Sequence, residues 1–371
     1  MQPNFANGEA MALRRKWPVL LVLVLSMVYI GWRLVQVGGD ARQLAEIGSQ
    51  FSQGDPVGSE GYDGQFVLFM AEDLSPQRVA VKLDVPAYRY QRILLPLLAR
   101  LAALGSASLV PWALLLVNLI AHVLAVWVLC SLLDHFDKWI GYSLLYGLWV
   151  GLIGGIGADL HEPLAYGLVV FALWFRIKQR DIIAIGLLGL ALLAKETTFP
   201  FLVAFILVDL FENKVKVTGP FYAAVLLGYS IWQWWLWHTF GQMGLGSGGS
   251  GASSFELVPF LGFFRIATVN MQVFGIYLLL FGPGILLPTI WGGVKSAMDL
   301  ISHPSNLFSW ILLLNAGIIT ILPYSTFREP FGLVRLATGL VLATILYAVR
   351  HDLKRPLVYG WFWLAYLPLV L

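Results

Sequence analysis

Asp63 lies between glycines in Gly61-Tyr62-Asp63-Gly64 and is one of five carboxylates, with Glu60, Glu72, Asp73 and Asp84, in a short polar stretch. Flanking glycines permit a tight turn and let a ligand approach the backbone. A carboxylate held there can take a proton from an attacking hydroxyl. The competing reading is a solvated turn aspartate. Arg89 and Arg92 follow at i, i+3 spacing among Tyr88, Tyr90 and Gln91. On a helix they share a face, and paired guanidiniums suit a phosphate, free or on a lipid headgroup.

Other charged groups punctuate apolar runs further along. Glu72-Asp73 are adjacent carboxylates of the kind that bind a divalent cation or end a solvated helix. Asp159-Leu160-His161-Glu162 joins an imidazole to two carboxylates; it reads as a metal or base-tuning turn, or as a polar loop. Lys195-Glu196 and Arg328-Glu329 interrupt long apolar segments. Ionisable groups at membrane depth are costly and are usually functional, paired, or both; each couple here could neutralise itself. Arg335 follows Arg328 by seven residues, which places the two on one face of a helix.

Those residues must be held by a membrane-embedded frame. Of the 371 residues 58% are apolar and 12% charged, about half the charge of a soluble domain, and the mean hydropathy is +0.76. The net charge of +3 and the lack of a long basic run give no footprint for nucleic acid. A single cysteine, Cys130, excludes an internal disulfide framework and any multi-cysteine metal site.

Apolar segments fall at 17–37, 109–133, 139–158, 163–177, 181–194, 198–211, 217–238, 272–294, 306–323, 331–349 and 356–371, an expectation of about eleven spans, several shorter than a full crossing. The first follows Arg14-Arg15-Lys16 and reads as an uncleaved anchor. With the N-terminus in the cytoplasm, every cytoplasmic segment carries at least one lysine or arginine. The 38–108 loop, the 159–162 and 195–197 turns, the 239–258 loop and the 324–330 turn then share the opposite side. Within the long loop, Arg92–Leu104 reads as an amphipathic helix at the interface. The glycines at 151, 154, 155 and 157 suggest close helix packing.

Some signals are set aside. Gly244–Gly249 matches GxGxxG, but no βαβ unit surrounds it, and it reads as a flexible linker. The tryptophans at 232–237 read as an interfacial belt, with stacking on a sugar as the lesser alternative. His122, inside a span, reads as a hydrogen-bonded packing residue. No GxSxG, HExxH or P-loop is present.

Tyr62-Asp63-Gly64 with Phe66 and Ala71, the Tyr88–Pro96 segment, Ala194-Lys195-Glu196-Thr197 and Phe327-Arg328-Glu329-Pro330-Phe331-Gly332 with Arg335 together resemble the GT-C superfamily of membrane glycosyltransferases. The closest likeness is to its GPI-type mannosyltransferase branch and to bacterial relatives. Val67-Leu68 stand where that branch usually has tyrosine. The resemblance implies one all-α transmembrane bundle over 1–371, with the 38–108 loop carrying an extracytoplasmic site. It implies an inverting transfer from a polyprenyl-phosphate sugar to an acceptor hydroxyl at a bacterial inner membrane.

In that expectation Asp63 is the base. Arg89, Arg92, Lys195, Arg328 and Arg335 meet the donor phosphate. Tyr62, Glu72, Asp73, Asp159, His161, Glu162, Glu196 and Glu329 complete the candidate set, with Glu72 and Asp73 the option for a divalent cation. The partners are the donor lipid and the surrounding membrane lipid. The rival class is a transporter or flippase of a lipid-linked substrate, which needs charge along a path through the midplane. A weaker third reading is a non-catalytic membrane scaffold.

Overall fold

The computed structural model describes residues 17–370, so Arg14, Arg15, Lys16 and Leu371 lie outside it. Among the described residues the protein is built from helices, and the only strand-like pairing is an isolated bridge between Ile47 and Gly61. The helices used below are α1 (Trp17–Gln36), α2 (Asp63–Glu72), α3 (Pro86–Tyr90), α4 (Leu94–Ala102), α5 (Val110–His135), α6 (Val150–Gly157), α7 (Glu162–Ile177), α8 (Asp181–Ala194), α9 (Phe199–Phe211), α10 (Val215–Phe240), α11 (Met271–Ser302), α12 (Leu307–Thr320), α13 (Pro330–Leu336) and α14 (Thr338–Arg350).

Helix occurs in each of the expected apolar segments. By length and composition three helices (α1, α5 and α11) can cross a membrane alone, or up to five if two bent pairs each count as one span. One bent pair is Ile140–Gly147 with α6, at 53°; the other is α13 with α14, at 41°. The second pair begins at a proline. Glu329, ahead of Pro330, is extended at φ −104° and ψ 103°, as the proline ring requires of the residue before it. Arg328 and Arg335 therefore lie on separate helices, and the shared face expected from their spacing does not form.

The bundle core joins α5, α7, α8 and α9 to α11, α12 and α14. Two satellite cores tie the 38–108 segment onto it. Val67, Leu68 and Ala71 of α2 pack with Leu95 and Ala99 of α4, Leu114 of α5, Leu164 of α7 and Ala194 of α8. Phe66, Phe69 and Met70 pack with Leu83, Tyr90 and Leu236, flanked by Trp232 and Trp235.

Helix α2 is apolar all round, and Gly64 through Ala71 are all buried. An all-apolar helix of this length belongs inside protein. It does not offer its aromatics to lipid, and α4 likewise turns its apolar side onto α2 and α5. Arg100 of α4 donates to the Ala71 carbonyl at 3.2 Å, and Arg92, two residues ahead of the helix, pairs with Glu196.

The glycine-rich α6 packs closely, as its sequence suggests. A Cβ on Gly154 would lie 2.6 Å from the Phe331 ring and one on Gly157 2.5 Å from the Tyr29 ring. This seats α13, which carries Arg335, against the end of α6. His122 Nε2 donates to the Gly147 carbonyl at 2.9 Å and the ring stacks on Tyr146, a packing role.

Candidate active site

Asp63 is the first residue of α2. Gly61 turns the chain at φ +70°, a conformation open to glycine, and the Tyr62 amide donates to the Glu46 carbonyl at 2.9 Å. Tyr62 is extended (φ −131°, ψ 172°), so the helix begins abruptly at Asp63. A carboxylate in the first turn also gains from the positive helix end. Gly64 abuts the turn before α7: a Cβ there would sit 2.1 Å from the Ala158 carbonyl oxygen. The absent side chain brings the start of α2 against the start of α7, and Asp63 near Glu162.

Four segments remote in sequence converge on that point. Arg89 Nη1 donates to Asp63 Oδ1 at 2.8 Å, and Arg335 Nη1 to Asp63 Oδ2 at 2.9 Å. Arg335 also donates to the Tyr62 hydroxyl at 2.8 Å and, through Nε, to Glu162 Oε1 at 2.6 Å. The Tyr62 hydroxyl in turn donates to Glu329 Oε1 at 2.7 Å. Lys195 Nζ pairs with the same Glu162 oxygen. Arg92 Nε donates to Glu196 Oε2 at 2.8 Å, and its Nη2 to the Tyr88 hydroxyl at 2.6 Å. Aromatic rings hold the cations: Tyr88 lies beneath Arg92 and Arg89, and Phe66 beneath Arg89 at 4.2 Å. Tyr62 stacks on Phe331 with centroids 5.8 Å apart, and both rings face Arg335.

Lys195 and Glu196 do not neutralise each other, and neither do Arg328 and Glu329. Neighbours in a turn point apart: Lys195 pairs with Glu162, Glu196 with Arg92, and Glu329 accepts from Tyr62. The inner cluster has five carboxylates (Asp63, Asp84, Glu162, Glu196, Glu329) and four cations (Arg89, Arg92, Lys195, Arg335). All four cations are engaged. An added phosphate can gain one only where a carboxylate gives way.

The electrostatics follow from this crowding. Burial alone would raise the Asp63 pKa, but Arg89, Arg335 and Arg92 together hold it well below the usual carboxylate range. Its side chain is still 30% exposed, and with the exposed Glu329 it forms the accessible face of the cluster. Burial pushes Lys195 down to about 8, with Arg335 and Arg92 adding to the fall against the pull of Glu162. Burial, then the nearby Arg92 and Lys195, take His161 down to about 3, so its ring is neutral. Burial raises the Tyr62 phenol well above its ordinary value, leaving it a hydrogen-bond donor.

Not every candidate joins the cluster. Glu72 pairs with Arg42 and Asp73 with Arg78 at 2.6 Å, on the outer surface of the loop. They are engaged separately, and among the described residues no three His, Cys, Asp or Glu side chains gather as metal ligands. Asp159 is fully buried and neither carboxyl oxygen has a hydrogen-bond partner. His161 is buried beside Glu162, with Nδ1 unpartnered. Arg328 is exposed at the rim, its guanidinium 5.8 Å from the Tyr324 ring.

Two features were not singled out by sequence. Asp84 accepts both Arg89 Nε and Nη2 at 2.7 Å; proximity of the two residues in the chain is the signal that could have found it. The glycine- and serine-rich stretch near residue 245 is not a free linker. It crosses the site, and the Ser250 amide donates to Asp84 Oδ2 at 2.9 Å. Of the tryptophans, Trp232 and Trp235 stack on each other against the loop, while Trp234 and Trp237 face outward.

Comparison with protein-family models, curated proteins and solved structures found no match to this chain.

Proposed function

We propose that the chain is an integral-membrane, inverting glycosyltransferase of the GT-C kind. It takes a sugar from a polyprenyl-phosphate donor and passes it to an acceptor hydroxyl on the extracytoplasmic side of a bacterial inner membrane. The observation that carries this reading is the single carboxylate of Asp63, partly open to solvent and gripped on its two oxygens by Arg89 and Arg335. One site thus offers both a proton acceptor and the guanidiniums suited to a departing phosphate.

Asp63 in this state is ionised but a poor base, because a general base works best with a pKa near the working pH. The donor phosphate removes that obstacle. It competes for Arg89 and Arg335, and Asp63, released from two cations, rises toward ordinary basicity. The acceptor oxygen then attacks the anomeric carbon from the face opposite the phosphate. The carbon–oxygen bond to phosphate breaks and its electron pair leaves with polyprenyl phosphate. The acceptor proton goes to Asp63. Arg89, Arg335 and Lys195 stabilise the charge that grows on the leaving oxygen. Glu162 holds Arg335 directly, and Glu329 does so through the Tyr62 hydroxyl. The stacked Tyr62–Phe331 pair forms an aromatic wall beside the reacting centre.

The test is mass spectrometry of products from purified protein given a panel of polyprenyl-phosphate sugars and candidate acceptors, with and without a chelator. A sugar-transferred product with inverted anomeric configuration is the expected result. Labelled lipid that crosses proteoliposomes with no covalent change would replace this reading with the transporter.

A further inference from the structure

The stretch from Gly244 to Ser253 lies across the Arg89 side of the site. Gly244 packs on the Ala87 carbonyl and on Gln91, and Gly249 packs directly on Arg89 and Asp84: a Cβ on Gly249 would be 2.9 Å from Arg89 Nη2 and 3.0 Å from Asp84 Oδ2. At its far end the Ser253 amide donates to Ser325 Oγ at 3.0 Å, the Ser325 amide returns a bond to Ser253 Oγ at 3.0 Å, and the two hydroxyls are 3.2 Å apart. The segment is therefore a strap pinned at three points, at Gln233, whose Oε1 accepts from the Leu245 amide at 2.8 Å, at Asp84 and at Ser325, with little side chain between the last two. Glycine and serine make it cheap to lift, because few apolar contacts are lost.

Asp84 is the shared anchor. Its side chain is 1% exposed. It accepts from Arg89 Nε and Nη2, from the Ser250 amide and from the Val85 amide at 2.7 Å. Four donors fill the acceptor capacity of one carboxylate. Ser250 and Arg89 Nη2 bond to the same oxygen, Oδ2. The group that aims Arg89 at Asp63 is thus the group that latches the strap over Arg89.

We infer that Asp84 is a positioning residue that couples the aim of Arg89 to a gate formed by the 244–253 strap, which must lift before a phosphate-bearing lipid reaches Arg89. The inference rests on the glycosyltransferase reading for the identity of the ligand, but not for the latch itself.

The experiment uses full-length protein in detergent, with Ser253→Cys and Ser325→Cys introduced together. The native Cys130 is buried, so the background of disulfide formation is low. The hydroxyl separation puts a disulfide within reach. The probe is a short-chain polyprenyl phosphate. Oxidised protein is expected to bind and release it about ten-fold or more slowly than reduced protein, with reduction restoring the rate; loss of one hydrogen bond to a charged group sets that scale. In the Asp84→Asn background the disulfide is expected to form several-fold more slowly without any ligand. Gly249→Ala is the second variant: its Cβ crowds Arg89 Nη2 and Asp84 Oδ2 and so displaces the strap while keeping the Asp84 carboxylate, and it is expected to speed probe association.

Equal disulfide formation with and without Asp84→Asn would overturn the latch. Equal probe kinetics in oxidised and reduced protein would overturn the gate. If no form binds the probe, the donor reading fails, while the ligand-free disulfide rate still decides whether Asp84 latches the strap.

Discussion

Helix α7 carries a buried charge cluster at each end, and the two are built differently. At its start, Glu162 joins the Asp63 cluster. About 20 Å away along the axis, Arg176 pairs with the buried Asp209 and, at 3.0 Å, with Asp181. The Tyr222 hydroxyl donates to Asp209 at 2.7 Å, and Phe205 lies under the guanidinium. Asp209 is 0% exposed and its partners come from neighbouring helices. It is a closed brace. Both clusters hold more carboxylates than cations and both have a partly exposed member, Asp63 at 30% and Asp181 at 23%. Burial of charge in a helical bundle is thus not by itself a mark of chemistry. What distinguishes the Asp63 cluster is an exposed carboxylate shared between two arginines, with a strap across one side.

Arginine exchange sharpens that contrast most. Arg335→Met is expected to lower turnover about 10²- to 10³-fold, the scale for losing one preorganised donor to a developing anion. Arg176→Met is expected to leave turnover per folded molecule within about two-fold. Both are expected to lose thermal stability: Arg176→Met, which leaves the buried Asp209 without a cation, by roughly 3–5 kcal/mol, and Arg335→Met by less, because Glu162 keeps Lys195 and Asp63 keeps Arg89. Paired activity and melting measurements check the prediction. Equal activity losses would erase the distinction between the clusters.

The pH profile is a second, smaller separation. Asp63, depressed by its arginines in the free protein, stays ionised well into acid, so kcat/KM should show no acid limb near the ordinary aspartate value of about 3.9. Its share of stability is present above that unfolded value and is lost only as pH falls through the lower folded one. Lys195 works the other way. Its charge is lost as pH rises through about 8, while the unfolded chain holds that proton to about 10.4. Between these values the unfolded state binds more protons, so this group makes stability rise with pH. Activity should therefore decline above pH 8 with no accompanying unfolding, and Lys195→Arg should move that decline upward. A decline that tracks melting would assign it to the fold instead.

Tyr62→Phe is the mildest change. It removes the hydroxyl that joins Arg335 to Glu329 and should cost about 0.5–1.5 kcal/mol in transition-state stabilisation, a few-fold in kcat/KM. The corresponding Tyr222→Phe in the brace should alter stability only.

Much of this was legible from residue type. The positions of the helices follow from the apolar runs, and the glycines of α6 mark close packing that seats Phe331 beside Tyr62. The sequence also separates out the cations and carboxylates that the fold gathers. What it does not give is who pairs with whom. Lys195 bonds to Glu162 rather than to the adjacent Glu196, because successive residues in a turn diverge. Arg335 reaches Asp63 while Arg328 does not, because Pro330 restarts the helix between them. The strap escaped notice for a related reason. Its contacts are made by backbone amides and missing side chains, which composition reads as flexibility. The buried carboxyl of Asp159, with no hydrogen-bond partner, has no role that the geometry explains.

The most direct test of the account is turnover of Asp63→Asn on a polyprenyl-phosphate sugar, with binding of the donor lipid measured on the same preparation. The account predicts a loss of about 10²- to 10⁴-fold, the contribution of a positioned general base, with donor binding kept or tightened because Arg89 and Arg335 no longer face a carboxylate. Transfer at the wild-type rate would contradict it.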